Sequence, residues 1–407
     1  PDDIKGREYG EDPSTVDYEK VIAQKKELLH KAFFSFKEDV SYLAFIQEQS
    51  WWLEDYALFM AIKQHNELRS WMTWDKELRF RKPEVLAAFK EEHIEDIKFH
   101  RFVQYMFFTQ WNKLKAYANK NGISIIGDIP IYAAMDSADV WVNPKLFTID
   151  ISLRPTLVAG VPPDYFSATG QRWGNPIYDW EHMKEQDYRF WVDRIGYSNK
   201  LFDIIRIDHF RAFDTYWKIP ADCPTAIDGE WIEAPGYEVI DTLQKEIPGL
   251  DLVAEDLGLL RPEVLMLKDH YHLKGMKILI FSIETGGKYA RDTFHDVENM
   301  IFYTGTHDND TIVGYFRDKT EYELAYLYEY LNISSQEEIP DALIRCAYAS
   351  IADIAIIQMQ DLLKLGNEAR MNAPSTVGYN WRWRLNKEQL AESRRAWIRN
   401  LAAVYRR

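Results

Sequence analysis

The chain has 407 residues, of which 46% are hydrophobic, 28% are charged and only two are cysteines, and its formal net charge at pH 7 is −15. This negative balance argues against nucleic acid and anionic membrane as partners, because both are bound by clustered Lys and Arg. No apolar run approaches the roughly 18 residues of a membrane span, so we expect a soluble chain with one large domain or two modest ones. Cys223 and Cys346 lie far apart without metal-ligand spacing, and the opening PDDIKGREYG lacks the pattern of a signal region. The expected location is the reduced cytoplasm.

The first part of the chain is predicted to be helical. From about Val16 to Asn119 there is scarcely a Gly or Pro. The stretch YEKVIAQKKELLHKAFFSF places apolar side chains at helical spacing, namely Val21, Leu28, Leu29, Ala32, Phe33 and Phe36. We therefore predict a helical segment over residues 1–120.

Beyond Gly122 the pattern changes to short apolar runs that end in polar residues and alternate with loops or helical stretches. In chain order these runs are ISIIGDIPIY, FDIIRIDHF, LDLVAEDLG, MKILIFSIE, MIFYTGTHD and DIAIIQMQD. Continuous apolar strands that alternate with helices are typical of a parallel sheet with helices on both faces.

Ionisable residues lie at the predicted C-terminal ends of several of these strands: Asp128, Asp208, Glu255, Asp256, Glu284, His307 and Asp308. A (β/α)8 barrel brings the carboxyl ends of all its strands to one rim, whereas an open doubly wound sheet places its site at a switch point. No Gly-rich phosphate loop follows any of these runs, which weighs against a nucleotide-binding open sheet. We predict an α/β fold with a (β/α)8 TIM barrel over residues 121–407 and the helical segment as an insertion.

The stretch FDIIRIDHFRAF ends an apolar strand with charged residues. Arg206 and Asp208 are two residues apart and therefore lie on the same face of a strand. A structural ion pair would explain them, and so would a carboxylate held ionised at the mouth of a site.

These carboxylates are suited to the cleavage of a glycosidic bond with retention of configuration. It requires one ionised carboxylate that attacks the anomeric carbon and one protonated carboxylate that donates to the leaving oxygen. Asp208 suits the first role because Arg206 would keep it charged, and Glu255 suits the second because an apolar approach and neighbouring carboxylates raise its pKa. Asp308, beside His307, could hold sugar hydroxyls and stabilise a cationic transition state. Asp256 and Glu284 could equally be ion-pair partners or helix caps.

The motifs resemble those of a known family. RIDHF, AEDLG and GTHDNDT, in this order on successive strand-like runs, resemble the barrel motifs of the 4-α-glucanotransferases called amylomaltases or disproportionating enzymes, within the α-amylase clan. The segments VAGVPPDYFSATGQRWGNPIYDW and RMNAPSTVGYNWRWR strengthen the resemblance to this family over amylases at large. Together the motifs cover most of residues 121–384.

The resemblance implies a reaction and the residues for it. By motif, Asp208 matches the nucleophile, Glu255 the acid/base and Asp308 the transition-state stabiliser. The implied reaction transfers a segment from an α-1,4-glucan donor to an acceptor such as a maltodextrin or glucose, in two displacements and without a metal or organic cofactor. The residues implied to contact the substrate are Arg206, His307, Asp256, Asp128, Gln171 and Asn372.

Transfer in place of hydrolysis requires that an acceptor sugar outcompete water, so aromatic platforms and a covering loop are expected. The segment PPDYFSATGQRW supplies Tyr165, Phe166 and Trp173 in a loop bounded by Pro and Gly, for which a packed surface loop is the alternative. A hydrolase of the same clan would share the carboxylates, and a non-catalytic glucan-binding protein would lack one of them. This chain has all three carboxylates, Asp208, Glu255 and Asp308, which argues against the non-catalytic alternative.

The number of strand-like runs predicts an incomplete barrel. A (β/α)8 barrel needs eight strands, and six are recognised here, all after residue 121. Chains of the amylomaltase type open with a barrel strand and a Pro/Gly-rich stretch, which nothing before Tyr18 resembles. We therefore expect an N-terminally incomplete version of a longer polypeptide, with the helical segment inserted between a missing second strand and ISIIGDIPIY.

Overall fold

The computed structural model describes residues 7, 10–163, 167–258, 260–282 and 298–407. The chain divides into two compact units, one formed by Leu29–Leu273 and the other by residues up to Leu28 together with Lys274–Arg407. These boundaries differ from the predicted division at residue 120, which stays a prediction.

The first part of the chain is helical, as predicted. Its helices are α1 Tyr18–Ser35, α2 Val40–Glu48, α3 Ser50–His65, α4 Lys76–Arg79, α5 Pro83–Glu92 and α6 Ile94–Lys120. The carboxylate of Asp39 accepts the backbone N–H of Tyr42 and so caps the start of α2. Leu58 and Ile62, one turn apart on α3, are both buried, because residues four apart share a helix face.

All six predicted strand-like runs contain a strand. In chain order the strands are β1 Ile126–Pro130, β2 Leu157–Val161, β3 Gln171–Pro176, β4 Ile204–Asp208, β5 Thr215–Pro220, β6 Glu230–Glu233, β7 Leu252–Ala254, β8 Gly275–Ile278, β9 Met300–Tyr303 and β10 Ile354–Ile356. The later α-helices are α7 Ala138–Val142, α8 Trp180–Glu185, α9 Arg189–Leu201, α10 Gly236–Glu246, α11 Pro262–His270, α12 Leu279–Ser282, α13 Ile312–Phe316, α14 Glu321–Leu331, α15 Ile339–Ala349, α16 Met359–Leu362 and α17 Glu392–Tyr405. Short 3-10 turns lie at Trp71–Thr73, Pro144–Leu146, Phe210–Phe213, Gln336–Glu338, Asn367–Ala369 and Lys387–Gln389.

The unit Leu29–Leu273 contains a parallel sheet in the order β1-β4-β7. Ile205 and Ile207 on β4 and Val253 on β7 are almost completely buried, as expected for strands covered on both faces. Helix α9 packs against β4 and against α10, so that these elements form the layered α/β core of the unit. The polar ends of β4 and β7 therefore lie side by side at the carboxyl edge of the sheet.

A second sheet in the same unit was missed by the sequence analysis. Strands β3, β2, β5 and β6 form an antiparallel sheet in that order. The segment VAGVPPDYFSATGQRWGNPIYDW, predicted to be a loop, therefore contains most of β2 and all of β3, which pair as antiparallel strands. Gln171 and Trp173 lie on β3. Pairing with β2 sets this conformation, because cross-strand contacts override the low strand preference of Gly and Pro in QRWGNP.

The other unit contains a parallel sheet in the order β10-β9-β8. Ile301 and Phe302 on β9 are buried, and α15 adds Leu343 and Ile344 to the interior. Ile344 packs with Leu362 and with Leu401 of α17, which fixes the C-terminal helix to this unit.

The architecture is a mixed α/β fold with parallel strands in both units. Among the described residues, β1 is paired only with β4 and β10 only with β9. The two missing barrel strands stay a prediction.

Candidate active site

Arg206 holds two carboxylates together at the first parallel sheet. The register of β1 and β4 places Arg206 directly opposite Asp128. Its Nη1 lies 2.6 and 2.8 Å from the two Asp128 oxygens and 3.0 Å from Asp208 Oδ1. The guanidinium is buried while both carboxylates are nearly half exposed, so the buried charge is compensated within the cluster. The predicted pair of Arg206 with Asp208 is confirmed, and Asp128 is a second partner.

Glu255 directly follows β7 and lies beside the end of β4. Its backbone N–H donates to the carbonyl of Ile207 (3.1 Å), which continues the strand pairing by one residue. Its side chain accepts the backbone N–H groups of His209 (2.8 Å) and Leu257 (3.2 Å). Burial first, and then the charge of Asp208, raise the pKa of Glu255 to about 7, against the lowering effects of the neighbouring guanidinium and of these two donors.

A tight turn at His209 shapes the end of β4. His209 has a φ of 54°, in the left-handed region where His occurs more often than most residues, and this conformation directs its N–H to Glu255. Burial, and then the charge of Arg211, lower the pKa of His209 to about 4, so the ring is neutral near pH 7. The guanidinium of Arg211 stacks over Trp231, with 3.8 Å from its Cζ to the ring centroid. Arg211 thus packs on the antiparallel sheet.

Trp173 presents a partly exposed ring close to this cluster. It lies on β3 with 38% of its surface exposed, and its ring meets that of His209 edge-on with the centroids 4.9 Å apart. Its indole N–H donates to Gln171 Oε1 (3.2 Å), which joins two predicted substrate contacts. A Cβ at Gly160 of β2 would lie 2.1 Å from the Gln171 carbonyl oxygen, so Gly is required where the two strands approach. Tyr165 and Phe166 lie outside the described residues.

Asp256 has a different environment from its neighbour Glu255. Its side chain is largely buried and lies 3.7 Å from Lys268 Nζ, which also pairs with Asp269 at 3.1 Å. Ion pairing, one of the roles expected for Asp256, is therefore observed, and its predicted contact with sugar stays a prediction. Glu284 lies outside the described residues.

His307, Asp308 and Asn372 form a second cluster, in the unit that contains β9. The Asn372 side chain donates to Asp308 Oδ1 (2.5 Å), and its backbone N–H donates to the carbonyl of His307 (3.0 Å). His307 Nε2 lies 3.4 Å from Asp308 Oδ2. The half-exposed ring of Trp381 packs on the His307 ring, with the centroids 5.1 Å apart. Three predicted site residues thus lie together.

Arg370 organises this second cluster and was missed by the sequence analysis. Its guanidinium donates to the carbonyl oxygens of Asp308 (2.6 Å) and Asn372 (2.8 Å) and pairs with Asp310. The only signal in the sequence is its place at the start of the segment ARMNAPST. The sequence does not show that the N–H groups of Arg370 donate to backbone carbonyl oxygens, because every residue type has such a carbonyl.

Within the described ranges, no group of three or more His, Cys, Asp or Glu side chains could hold a metal ion. No helix in this part of the chain has the length and apolar character needed to cross a membrane.

The family is decided by comparison with known proteins. A family model described as 4-alpha-glucanotransferase matches residues 3–390. The chain belongs to the 4-α-glucanotransferase family. The resemblance inferred from RIDHF, AEDLG and GTHDNDT is therefore confirmed.

Relatives within the 4-α-glucanotransferase family are similar over nearly the whole chain. A 4-alpha-glucanotransferase of Streptococcus pneumoniae serotype 4 is 42% identical over 410 aligned residues, which cover 100% of this chain and 81% of the relative. One from Thermus thermophilus is 43% identical and covers 96% of this chain and 81% of its own length. Among solved structures, an amylomaltase from Streptococcus agalactiae in complex with acarbose has a TM-score of 0.96 and 40% identity, covering 100% of this chain and 83% of that one.

Proposed function

We propose that this chain transfers α-1,4-glucan segments between maltodextrins by a retaining double displacement. Asp208 attacks the anomeric carbon of the donor, while Glu255 donates a proton to the departing glycosidic oxygen. The product of this step is a covalent glycosyl-enzyme. Glu255, now ionised, removes the proton from an acceptor hydroxyl, and that oxygen displaces Asp208 from the sugar.

The observation that carries this proposal is the contrast between the two carboxylates. Asp208 is ion-paired with Arg206 and partly exposed, which favours the charged form that a nucleophile needs. Glu255 is buried and has a pKa of about 7, so it can hold a proton in one step and release it in the next. Neighbouring carboxylates whose environments separate their pKa values are the usual basis of such paired roles.

The remaining charges suit the transition state, which carries positive charge at the anomeric carbon. We assign Asp308 the role of stabilising that charge, oriented by the hydrogen bond from Asn372. Asp128 shares the Arg206 guanidinium with Asp208 and keeps oxygen lone pairs for sugar hydroxyls. His307 lies beside Asp308, and its contact with sugar is proposed on the family resemblance.

Substrate contacts are proposed for a second set of residues. Trp173 offers a partly exposed ring, the kind of surface on which a sugar ring packs, and Gln171 is hydrogen-bonded to it. Tyr165 and Phe166 are proposed as aromatic platforms of a covering loop, because transfer requires that an acceptor sugar outcompete water. The sugar contact of Asp256 is proposed on the family resemblance alone. The solved complex of a related amylomaltase with acarbose supports an α-glucan substrate for this chain.

The fold that we propose for this function is the (β/α)8 barrel of the family. It is supported by the six parallel strands of the two sheets, by the carboxylates that end β4 and directly follow β7, and by the likeness to a solved amylomaltase. The family comparisons do not favour the alternatives of a glucan hydrolase or a non-catalytic glucan-binding protein. A cytoplasmic location stays a prediction.

Product analysis with maltotriose tests the proposed activity. Transfer converts maltotriose into both shorter and longer glucans, whereas hydrolysis gives only shorter ones. We expect longer glucans to appear early and reducing ends to increase little. Accumulation of only glucose and maltose, with a matching rise in reducing ends, would overturn the proposal.

A further inference from the structure

Asp361 is a buried carboxylate that holds both ends of one loop. It lies on α16 and is completely buried. One carboxylate oxygen accepts the hydroxyl of Thr304 (2.6 Å), and the other accepts the backbone N–H of Ile312 (2.7 Å). Thr304 directly follows β9 and Ile312 begins α13, so residues 305–311 span the distance between the two bonds. This 305–311 loop contains His307 and Asp308.

The segment around Asp361 holds the same loop at further points. The backbone N–H of Gln358 donates to the hydroxyl oxygen of Thr304 (3.1 Å). The Asn367 side chain accepts the backbone N–H of Thr311 (3.2 Å). Both ends of the 305–311 loop are therefore bonded to residues 358–367, while Arg370 holds its middle through the Asp308 carbonyl.

The stability of the fold does not explain a carboxylate at this position. Burial raises the pKa of Asp361 to about 6, and the bonds from Thr304 and Ile312 lower it only in part. No charged side chain in the described part of the chain contributes to this pKa. An ionised buried carboxylate without a cation destabilises the folded state, so near pH 7 a neutral group of the same shape would be tolerated better.

A carboxylate does offer what a neutral amide cannot. Both of its oxygens accept, so it can receive the Thr304 hydroxyl and the Ile312 N–H at the same time. An Asn side chain has one acceptor oxygen, so with that oxygen on the Ile312 N–H its NH2 group faces the Thr304 hydroxyl, which must turn and accept where it now donates. The carboxylate thus fixes the two ends of the loop relative to each other.

We propose that Asp361 is a positioning residue for glucan transfer, whose two oxygens fix both ends of the 305–311 loop and so set the position of Asp308. The inference rests on the proposed function, in which Asp308 stabilises the transition state. A displacement of about 1 Å at a reacting group can lower a rate by about a hundredfold. Ground-state binding of the glucan depends less on this position, so the loss is expected in kcat.

The test compares activity and stability of Asp361→Asn in the full chain. With maltotriose at pH 7 we expect kcat to fall about tenfold or more, KM to change less than threefold, and Tm to stay equal or rise. If Asp361 only stabilised the fold, Asp361→Asn would lower Tm and leave kcat per folded molecule unchanged. A kcat within twofold of the parent, or a fall in Tm that accounts for the lost activity, would overturn the proposal.

Asp341→Asn is the matched control for Asp361→Asn. Asp341 lies in the same unit and pairs with Arg394 (2.5 Å) and Lys364 (2.8 Å), with no described bond to the 305–311 loop. Asp341→Asn should lower Tm and keep kcat.

If Asp361→Asn fails to fold, a comparison of Thr304→Val with Thr304→Ser tests the same hydrogen bond from the other side. Val keeps the shape and removes the hydroxyl, so it should lower kcat about tenfold relative to Ser, and equal rates would overturn the proposal. Asp308→Asn separates the two levels of inference. If it stays active, the role proposed for Asp308 fails, whereas if it is inactive while Asp361→Asn is fully active, only the positioning role fails.

Discussion

Replacement of Glu255 by Gln removes the proposed acid/base and keeps the size of the side chain. Gln can still accept a backbone N–H from His209 or Leu257, but it can neither ionise nor protonate a leaving oxygen. General acid–base catalysis contributes roughly 10²- to 10⁴-fold, which corresponds to about 3 to 5 kcal/mol of the barrier. We therefore expect kcat/KM for maltotriose to fall by roughly 10³.

The choice of donor separates this role from a general loss of structure. A glycosyl fluoride needs little acid assistance to lose its leaving group, so fluoride release by Glu255→Gln should stay fast in a first burst and then become slow. The burst amplitude should approach one fluoride per enzyme, because the second step lacks its base. Glu238→Gln, which alters an exposed carboxylate paired with Lys184, is the matched control and should behave like the parent.

The raised pKa of Glu255 also predicts a pH dependence of stability. Because the folded-state pKa is about 7 and the ordinary value is 4.5, folding favours the protonated form, and stability is lost as pH rises from 4.5 through 7. The difference corresponds to about 3 kcal/mol at high pH, as an order of magnitude. Glu255→Gln lacks this loss, so in urea titrations at pH 8.5 its free energy of unfolding should equal or exceed that of the parent. Transfer within a few-fold of the parent, or a clear loss of stability at pH 8.5, would refute this account of Glu255.

Further substitutions test the other assigned residues. Asp208→Ala should abolish transfer with every donor, glycosyl fluorides included, and measurable turnover would remove it from the nucleophile role. Arg206→Ala leaves two adjacent, partly exposed carboxylates without their shared cation, so we expect a lower free energy of unfolding. It should also move the alkaline limb of the pH–rate profile to higher pH, because Arg206 lowers the pKa of the acid/base; an unmoved limb counts against the cluster. Trp173→Ala should raise KM for long glucans more than Trp173→Phe does, and equal KM values would exclude a stacking role. Tyr165→Ala with Phe166→Ala should increase the ratio of hydrolysis to transfer, measured as reducing ends against longer products, and an unchanged ratio would indicate that these rings are merely packed.

Local sequence patterns were sufficient for the parallel strands and the helical segment. Each of the six apolar runs contains a strand, because an uninterrupted apolar run is compatible with burial on both faces of a sheet. The pair of Arg206 with Asp208 followed from their spacing of two along one strand. Such features depend on neighbours in the chain and can be predicted from them.

Contacts that depend on register could not be predicted in this way. Asp128 meets Arg206 only because β1 and β4 pair with these two residues opposite each other, although they are distant in the sequence. The antiparallel sheet was missed for a related reason, since QRWGNP becomes a strand through its pairing with β2. One sequence does not give the register between distant segments.

The groups that support the second cluster were also beyond sequence reasoning. Asp361 is the last residue of the sixth run, DIAIIQMQD, and in the sequence alone it cannot be told from any other polar residue at a strand end. Arg370 uses its donors on backbone carbonyls, which leave no trace in residue types. Their roles follow from hydrogen bonds that only coordinates supply.

The most direct test of the central claim is the site at which the sugar becomes attached. Glu255→Gln should be incubated with a maltosyl fluoride, quenched in acid, digested with trypsin and examined by mass spectrometry. Cleavage after Arg206 and Arg211 releases the peptide Ile207–Arg211, in which Asp208 is the only carboxylate side chain. The account predicts one added maltosyl group on this peptide, localised to Asp208 by fragmentation. An adduct on another peptide, or burst kinetics without any adduct, would contradict it.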